Sequence, residues 1–230
     1  MIPKKIHYCW FGRGEKPKNA LKCIESWRKF CPDYEIIEWN EDNFDVNAHP
    51  YTKQAYELKK WAFVSDYARL CIVYNEGGIY LDTDVEIVKN FDTLLGNEAY
   101  MGFEDDEYVN TGSGFGAVKG HAFLLENMKA YDSESIVDKD GNISPVSCPI
   151  YTTKLLNDKG LKNDSGEIQT VSGVTVYPRD YFCPYNYITG VMKMTENTYS
   201  VHLYSMSWLG KAQIVKSKIT KIFHRFFSRK

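Results

Sequence analysis

Two carboxylates one residue apart, Asp82 and Asp84, close the run Gly77-Gly78-Ile79-Tyr80-Leu81-Asp82-Thr83-Asp84. In an extended strand, residues i and i+2 point to the same side. The spacing therefore predicts two hard anionic oxygens aimed at one ligand, which suits a divalent cation that also holds phosphates. The competing reading is a pair of solvated turn aspartates. Upstream, Asp66 and Arg69 stand at i and i+3, on one face of an expected helix, where they can pair with each other or face a ligand. A late histidine, His202, is an acceptable ligand for Mn²⁺-type ions or an ordinary half-buried strand residue.

The surrounding pattern says what must position these groups. Residues 5–11 read as a buried strand ending at Gly12, residues 17–30 as a helix with apolar side chains at spacings of three, and residues 35–39 as a second strand. Residues 52–75 read as one long, largely buried helix that Gly77-Gly78 can cap in the left-handed conformation. Strand 79–81 then delivers the aspartates. Alternating strands and helices imply an α/β fold with a parallel sheet flanked by helices. In such sheets ligands bind beyond the carboxyl ends of the strands, where Trp10-Phe11-Gly12 and Asp82-Thr83-Asp84 both fall. Further on come a strand at 100–103, an acidic loop at 104–107, the glycine-rich run Asn110–Ala117, helices near 121–131 and 150–157, and strands at 173–177 and 200–204.

Composition excludes several classes. The chain has 230 residues, 43% hydrophobic and 25% charged, the balance of a globular domain rather than a disordered or fibrous one. A net charge of −2 makes no case for nucleic acid as a partner. Six cysteines without C-x-x-C spacing argue against a zinc or redox motif and suit reduced thiols. The N-terminus lacks a signal-like apolar stretch, and no run reaches the ~18 apolar residues of a membrane span. A cytoplasmic location is the simplest expectation. After Glu196 no acidic residue remains, while seven Lys and Arg follow. Residues 213–230 carry apolar side chains at helical spacing with basic residues between. This tail reads either as an amphipathic helix on an anionic membrane surface at the inner face or as a helix docked on protein. The domain is expected over 1–212.

Ser65-Asp66-Tyr67-Ala68-Arg69 followed by Gly77-Gly78-Ile79-Tyr80-Leu81-Asp82-Thr83-Asp84 resembles glycosyltransferase family 32 and the catalytic domain of the large glucosylating toxins. The opening Ile2–Gly12, Asn110-Thr111-Gly112 and His202–Trp208 extend the resemblance over roughly 1–210. It implies a GT-A fold, with a mixed, mostly parallel central sheet and a Rossmann-like nucleotide-binding half. It also implies a retaining transfer from a nucleotide sugar, with Mn²⁺ or Mg²⁺. By the resemblance, Asp82 and Asp84 hold the metal and donor, with His202 completing the shell. Asp66 and Arg69 meet the donor's ribose or sugar hydroxyls, and Asn110 touches the transferred sugar or acceptor. Trp10 stacks on the base or belongs to the core, Phe11 beside it belongs to the nucleotide site, and Tyr80 lies beneath the nucleotide or is structural. Ser207-Trp208 contacts the diphosphate, although Ser205 competes for the serine's role. Glu104, Asp105 and Asp106 include a group that orients the acceptor or donor sugar, or form a solvated loop.

A UDP-sugar is the favoured donor and GDP-mannose the other. The acceptor is an oligosaccharide or lipid-linked saccharide, as in bacterial capsule or surface polysaccharide synthesis. Two other readings compete: a haloacid-dehalogenase-type phosphatase, in which Asp82 is the nucleophile and Asp84 the acid/base, and a non-catalytic carbohydrate-binding protein.

Overall fold

The computed structural model describes residues 1–143, 146–164 and 166–205. Ser207, Trp208 and the basic tail at 213–230 lie outside these residues, so the expectations for them carry no structural account. The chain opens with β1 (Lys5–Cys9), α1 (Lys18–Phe30) and β2 (Glu35–Trp39), then α2 (Pro50–Glu57), α3 (Trp61–Glu76) and β3 (Gly78–Tyr80). β1 pairs in parallel with both β2 and β3. The chain thus leaves β1 to one side through α1 and returns to its other side through α3, a topological switch point at the carboxyl end of β1. Period-2 alternation sends Ile6 and Tyr8 to the core on one sheet face and Cys9 to the core on the other.

The expected single helix over 52–75 is two. Lys59 adopts a left-handed φ of 56°. Lys60 N–H reaches back to the Ala55 carbonyl at 2.8 Å and Lys59 N–H to the Tyr56 carbonyl at 2.9 Å. This is the six-to-one and five-to-two bonding of a Schellman cap, with lysine where glycine is usual. No glycine marks the break, so the apolar spacing reads straight through it. At the far end of α3 the glycines do mark the stop. Gly78 has φ 110°, and a Cβ there would sit 2.8 Å from His7 Nε2. His7 is buried in β1. The Trp39 indole N–H donates to its Nδ1 at 3.0 Å, and its Nε2 bonds the Gly77 carbonyl at 2.8 Å.

After β3 come β4 (Val85–Ile87), β5 (Ala99–Phe103), β6 (Val109–Asn110), β7 (Phe115–Ala117), α4 (Ala122–Lys129), α5 (Cys148–Asp158), β8 (Gln169–Val171) and β9 (Val174–Tyr177). The main sheet runs β2-β1-β3-β7-β5-β9-β8, with β6 beside β5. It is a mixed sheet: β5 and β9 pair in parallel, whereas β7 lies antiparallel between β3 and β5. No crossover helix separates β5 from β7, and a parallel connection needs one. A hairpin of β10 (Tyr185–Asn186) and β11 (Val191–Met192) precedes β12 (Ser200–His202), which pairs antiparallel with β4. α1 fastens β4: the Trp27 indole donates to the Val85 carbonyl at 2.7 Å, and Ser26 Oγ accepts from Ile87 N–H at 2.9 Å.

Candidate active site

Helix α3 delivers Asp66 and Arg69 to the carboxyl edge of β3. Arg69 Nη2 lies 2.8 Å from Asp66 Oδ1 and 3.2 Å from Asp82 Oδ1. Its Nε donates to the Ser65 carbonyl at 3.0 Å, and its guanidinium carbon stands 5.0 Å from the centre of the Tyr80 ring. The Tyr80 hydroxyl donates to Asp82 Oδ1 at 2.9 Å. The Asp66 and Arg69 side chains are 12% and 4% exposed, so one buried cation serves two carboxylates. Burial pushes Asp66 up to about 6, opposed by Arg69 and reinforced by Asp82. Burial likewise raises Asp82, with Arg69 opposing and Asp84 adding. The helix ion pair and the functional grouping are thus the same structure. Tyr80 is buried beneath Arg69 and Asp82, which gives its structural reading a concrete form.

Asp82 and Asp84 share a side, but not because of an extended strand. β3 ends at Tyr80, and the two residues occupy a turn closed by Val85 N–H donating to the Asp82 carbonyl at 3.0 Å. β12 supplies the rest. Its register sets His202 opposite Val85, and His202 Nε2 stands 3.3 Å from Asp84 Oδ1. Asp84 Oδ2 accepts from Ser205 N–H at 2.7 Å. Ser205 therefore enters the site through its backbone, with its side chain also bonding to Asp84.

Ligand atoms of Asp82, Asp84 and His202 lie within 4.8 Å of one another. Two carboxylates and an imidazole form a donor set that fits Mn²⁺ or Mg²⁺. His202 Nδ1 is buried without a hydrogen-bond partner among the described residues. Burial alone would raise Asp84 and lower His202; their mutual attraction outweighs it and drives each the other way.

The glycine-rich run closes the group. Asp82 N–H donates to the Gly112 carbonyl at 3.0 Å. A Cβ on Gly112 would overlap the Asp82 carboxylate and come within 3.0 Å of Arg69 Nη1 and Asn110 Oδ1. Asn110 Oδ1 accepts from Gly112 N–H at 2.6 Å, and its Nδ2 donates to Glu104 Oε2 at 2.5 Å. Sequence reasoning missed several neighbours. Cys148 Sγ is 3.8 Å from Arg69 Nη1. The Tyr204 ring stacks on His202 with centroids 4.0 Å apart, and Tyr187 packs on Tyr204 at 4.8 Å. The aromatic character of 178–190 was the one signal available for Tyr187.

Trp10 is half-buried at the end of β1. Its ring Nε1 donates to the Gly14 carbonyl at 2.6 Å, and it lines a cleft of about 230 Å³ with Lys16, Glu38 and Asn40. Phe11, expected with Trp10 at the nucleotide, packs into the core. It is 5% exposed, in the core against Phe44, because side chains alternate along the chain leaving β1.

Residues 17–101 match the family described as a glycosyltransferase sugar-binding region containing a DXD motif. Over 129 residues the chain is 31% identical to inositol phosphoceramide mannosyltransferase 3 of Schizosaccharomyces pombe, covering 54% of this chain and 36% of that protein. Over 102 residues it is 34% identical to a glycosyltransferase, L373, of Acanthamoeba polyphaga mimivirus, covering 42% and 41%. The chain thus spans well under half the length of these curated relatives. The PaToxG glycosyltransferase superposes with a TM-score of 0.52 at 18% identity, over 69% of this chain and 70% of that one. The fold is of the GT-A type, and the proteins the chain resembles are glycosyltransferases.

Proposed function

From this kinship and this site we propose that the chain is a metal-dependent, retaining glycosyltransferase that moves a sugar from a nucleotide-sugar donor to a saccharide or lipid-linked acceptor. The observation that carries the reading is the convergence of Asp82, Asp84 and His202 beside the buried Asp66–Arg69 pair. Asp82, Asp84 and His202 would hold Mn²⁺ or Mg²⁺, which as a Lewis acid stabilises a departing diphosphate. Asp66 and Arg69 bind donor hydroxyls, and Trp10 offers its ring to the base. Transfer joins an acceptor oxygen to the anomeric carbon and breaks the bond to the donor's phosphate oxygen. The departing phosphate keeps the electron pair and takes the acceptor's proton, so no dedicated base is required.

A UDP-sugar is the favoured donor. The fungal relatives are named as mannosyltransferases, which makes GDP-mannose the main competitor. Those names also include a lipid, inositol phosphoceramide. The β10–β11 hairpin supports a lipid-linked acceptor here, because Ile188, Val191 and Met192 are exposed close to the Tyr187–Tyr204 stack. A role in capsule or surface polysaccharide synthesis, on the cytoplasmic side of a membrane and with the basic tail as a contact, fits this reading. The test is thermal-shift and turnover screening of UDP- and GDP-sugars with Mn²⁺. A specific ligand raises apparent stability in proportion to its affinity. Failure of every nucleotide sugar to bind or turn over would reject the proposal. The phosphatase reading is disfavoured because Asp82, its nucleophile, is tied to Arg69 and Tyr80. Cleavage of p-nitrophenyl phosphate would revive it, and donor binding without turnover would favour a binding module.

A further inference from the structure

Three carboxylates of the site have a basic partner: Asp66 and Asp82 share Arg69, and Asp84 faces His202. Glu104 has no ion pair among the described residues. It follows directly on β5 and is only partly exposed. Its Oε2 accepts from the Asn110 amide. Asn110 in turn abuts the Asp82–Arg69 contact through Gly112. Glu104 is also within electrostatic reach of His202, Arg179, Tyr187 and Tyr204, without touching either base in an ion pair. Tyr204 holds a left-handed φ of 48°. Such a conformation is strained in a residue other than glycine and persists where the surroundings impose it. Here it accompanies the stacking of Tyr204 between His202 and Tyr187.

Two sides therefore meet at the metal-ligating group. The chain up to β3 brings the Asp66–Arg69 pair, and the chain beyond β4 brings Glu104, Tyr187 and Tyr204. We infer that Glu104, Tyr187 and Tyr204 form the acceptor subsite and take a polyhydroxylated ring, a saccharide or a cyclitol. This rests on the transferase reading and adds the acceptor's place to it. A carboxylate with no direct ion pair accepts hydroxyl hydrogen bonds strongly, and the partly exposed Tyr187 ring, backed by Tyr204, offers an apolar face to a ring's C–H surface. Glu104 holds a non-attacking hydroxyl, while the attacking hydroxyl loses its proton to the departing phosphate oxygen.

The test is steady-state kinetics of the full chain with Mn²⁺ and UDP-glucose or GDP-mannose, whichever the wild type uses. Methyl α-mannoside and myo-inositol serve as acceptor probes, and acceptor-dependent release of nucleoside diphosphate is the readout. Glu104→Gln keeps an oxygen for Asn110 and removes the charge. Glu104→Gln and Tyr187→Ala are each expected to raise the half-saturating acceptor concentration about tenfold or more. Both should leave the half-saturating donor concentration within about twofold. An unchanged acceptor value, or a donor value that rises in step, overturns the assignment and places Glu104 on the donor sugar or in the scaffold. Failure of the wild-type chain to release any nucleoside diphosphate would instead overturn the transferase reading, and the subsite with it.

Discussion

The Arg69 guanidinium lies 3.2 Å from the Asp82 carboxylate, joining helix α3 to the turn that carries both motif aspartates. Arg69 also pairs with Asp66 one helical turn back. A single buried cation thus sets the distance between the helix and the turn that carries both aspartates. Removing one partner of such a group leaves uncompensated buried charge, typically at a cost of about 3–5 kcal/mol. Arg69→Ala is expected to lose stability of that order in urea unfolding, together with donor binding. A loss below about 1 kcal/mol would mean the network is not structural.

Asp84 is the aspartate that also accepts from the returning chain, through Ser205 N–H. Asp84→Ala is expected to lower Mn²⁺-dependent donor turnover on the order of 100-fold or more. His202→Ala should shift half-activation to higher Mn²⁺. Full turnover by Asp84→Ala, or by wild type in excess chelator, would remove the metal assignment.

Burial holds the Asp66 carboxyl up at about 6, against an ordinary value of 3.8. Between about pH 4 and 6 the folded chain keeps a proton that the unfolded chain has released, so stability falls as pH rises through this window. That difference corresponds to about 3 kcal/mol. Asp66→Asn should flatten that part of the stability profile and lie closest to wild type below pH 4. An unaltered slope in Asp66→Asn would show that Asp66 titrates normally. Asp82, shifted the same way, adds to the wild-type slope.

Gly112 is held by space. Gly112→Ala would push a methyl group into Asp82 and against Arg69 and Asn110. Overpacking of this kind costs about 1–3 kcal/mol, so the variant is expected to fold. Its affinity for Mn²⁺ and donor, read by calorimetry, should fall sharply. Wild-type affinity would show that the Asp82 carboxylate is free to move.

Much of the first half was legible in the amino-acid order. The β1–α1–β2 alternation, the buried α3 and the Gly77-Gly78 stop follow from local periodicity and backbone freedom, which neighbouring residues carry themselves. Asp82, Asp84, Asp66 and Arg69 could be named for the same reason, since i+2 and i+3 spacings are local. The break at Lys59 was not legible, because its left-handed cap is closed by local backbone bonds on a lysine rather than marked by glycine. The burial of Phe11 was not legible for another reason: which face of β1 meets solvent depends on what packs there.

Sequence alone named the candidate residues: the paired aspartates, the helix-borne Asp66–Arg69 pair, and a late histidine. Only the tertiary structure decided how they meet. A turn, not an extended strand, aims both aspartates. The β4–β12 pairing lays His202 against Asp84 across more than a hundred residues of chain, and the β5–β6 connection brings Glu104 to the same place. Long-range hydrogen-bond register sets those distances, and no local spacing encodes it.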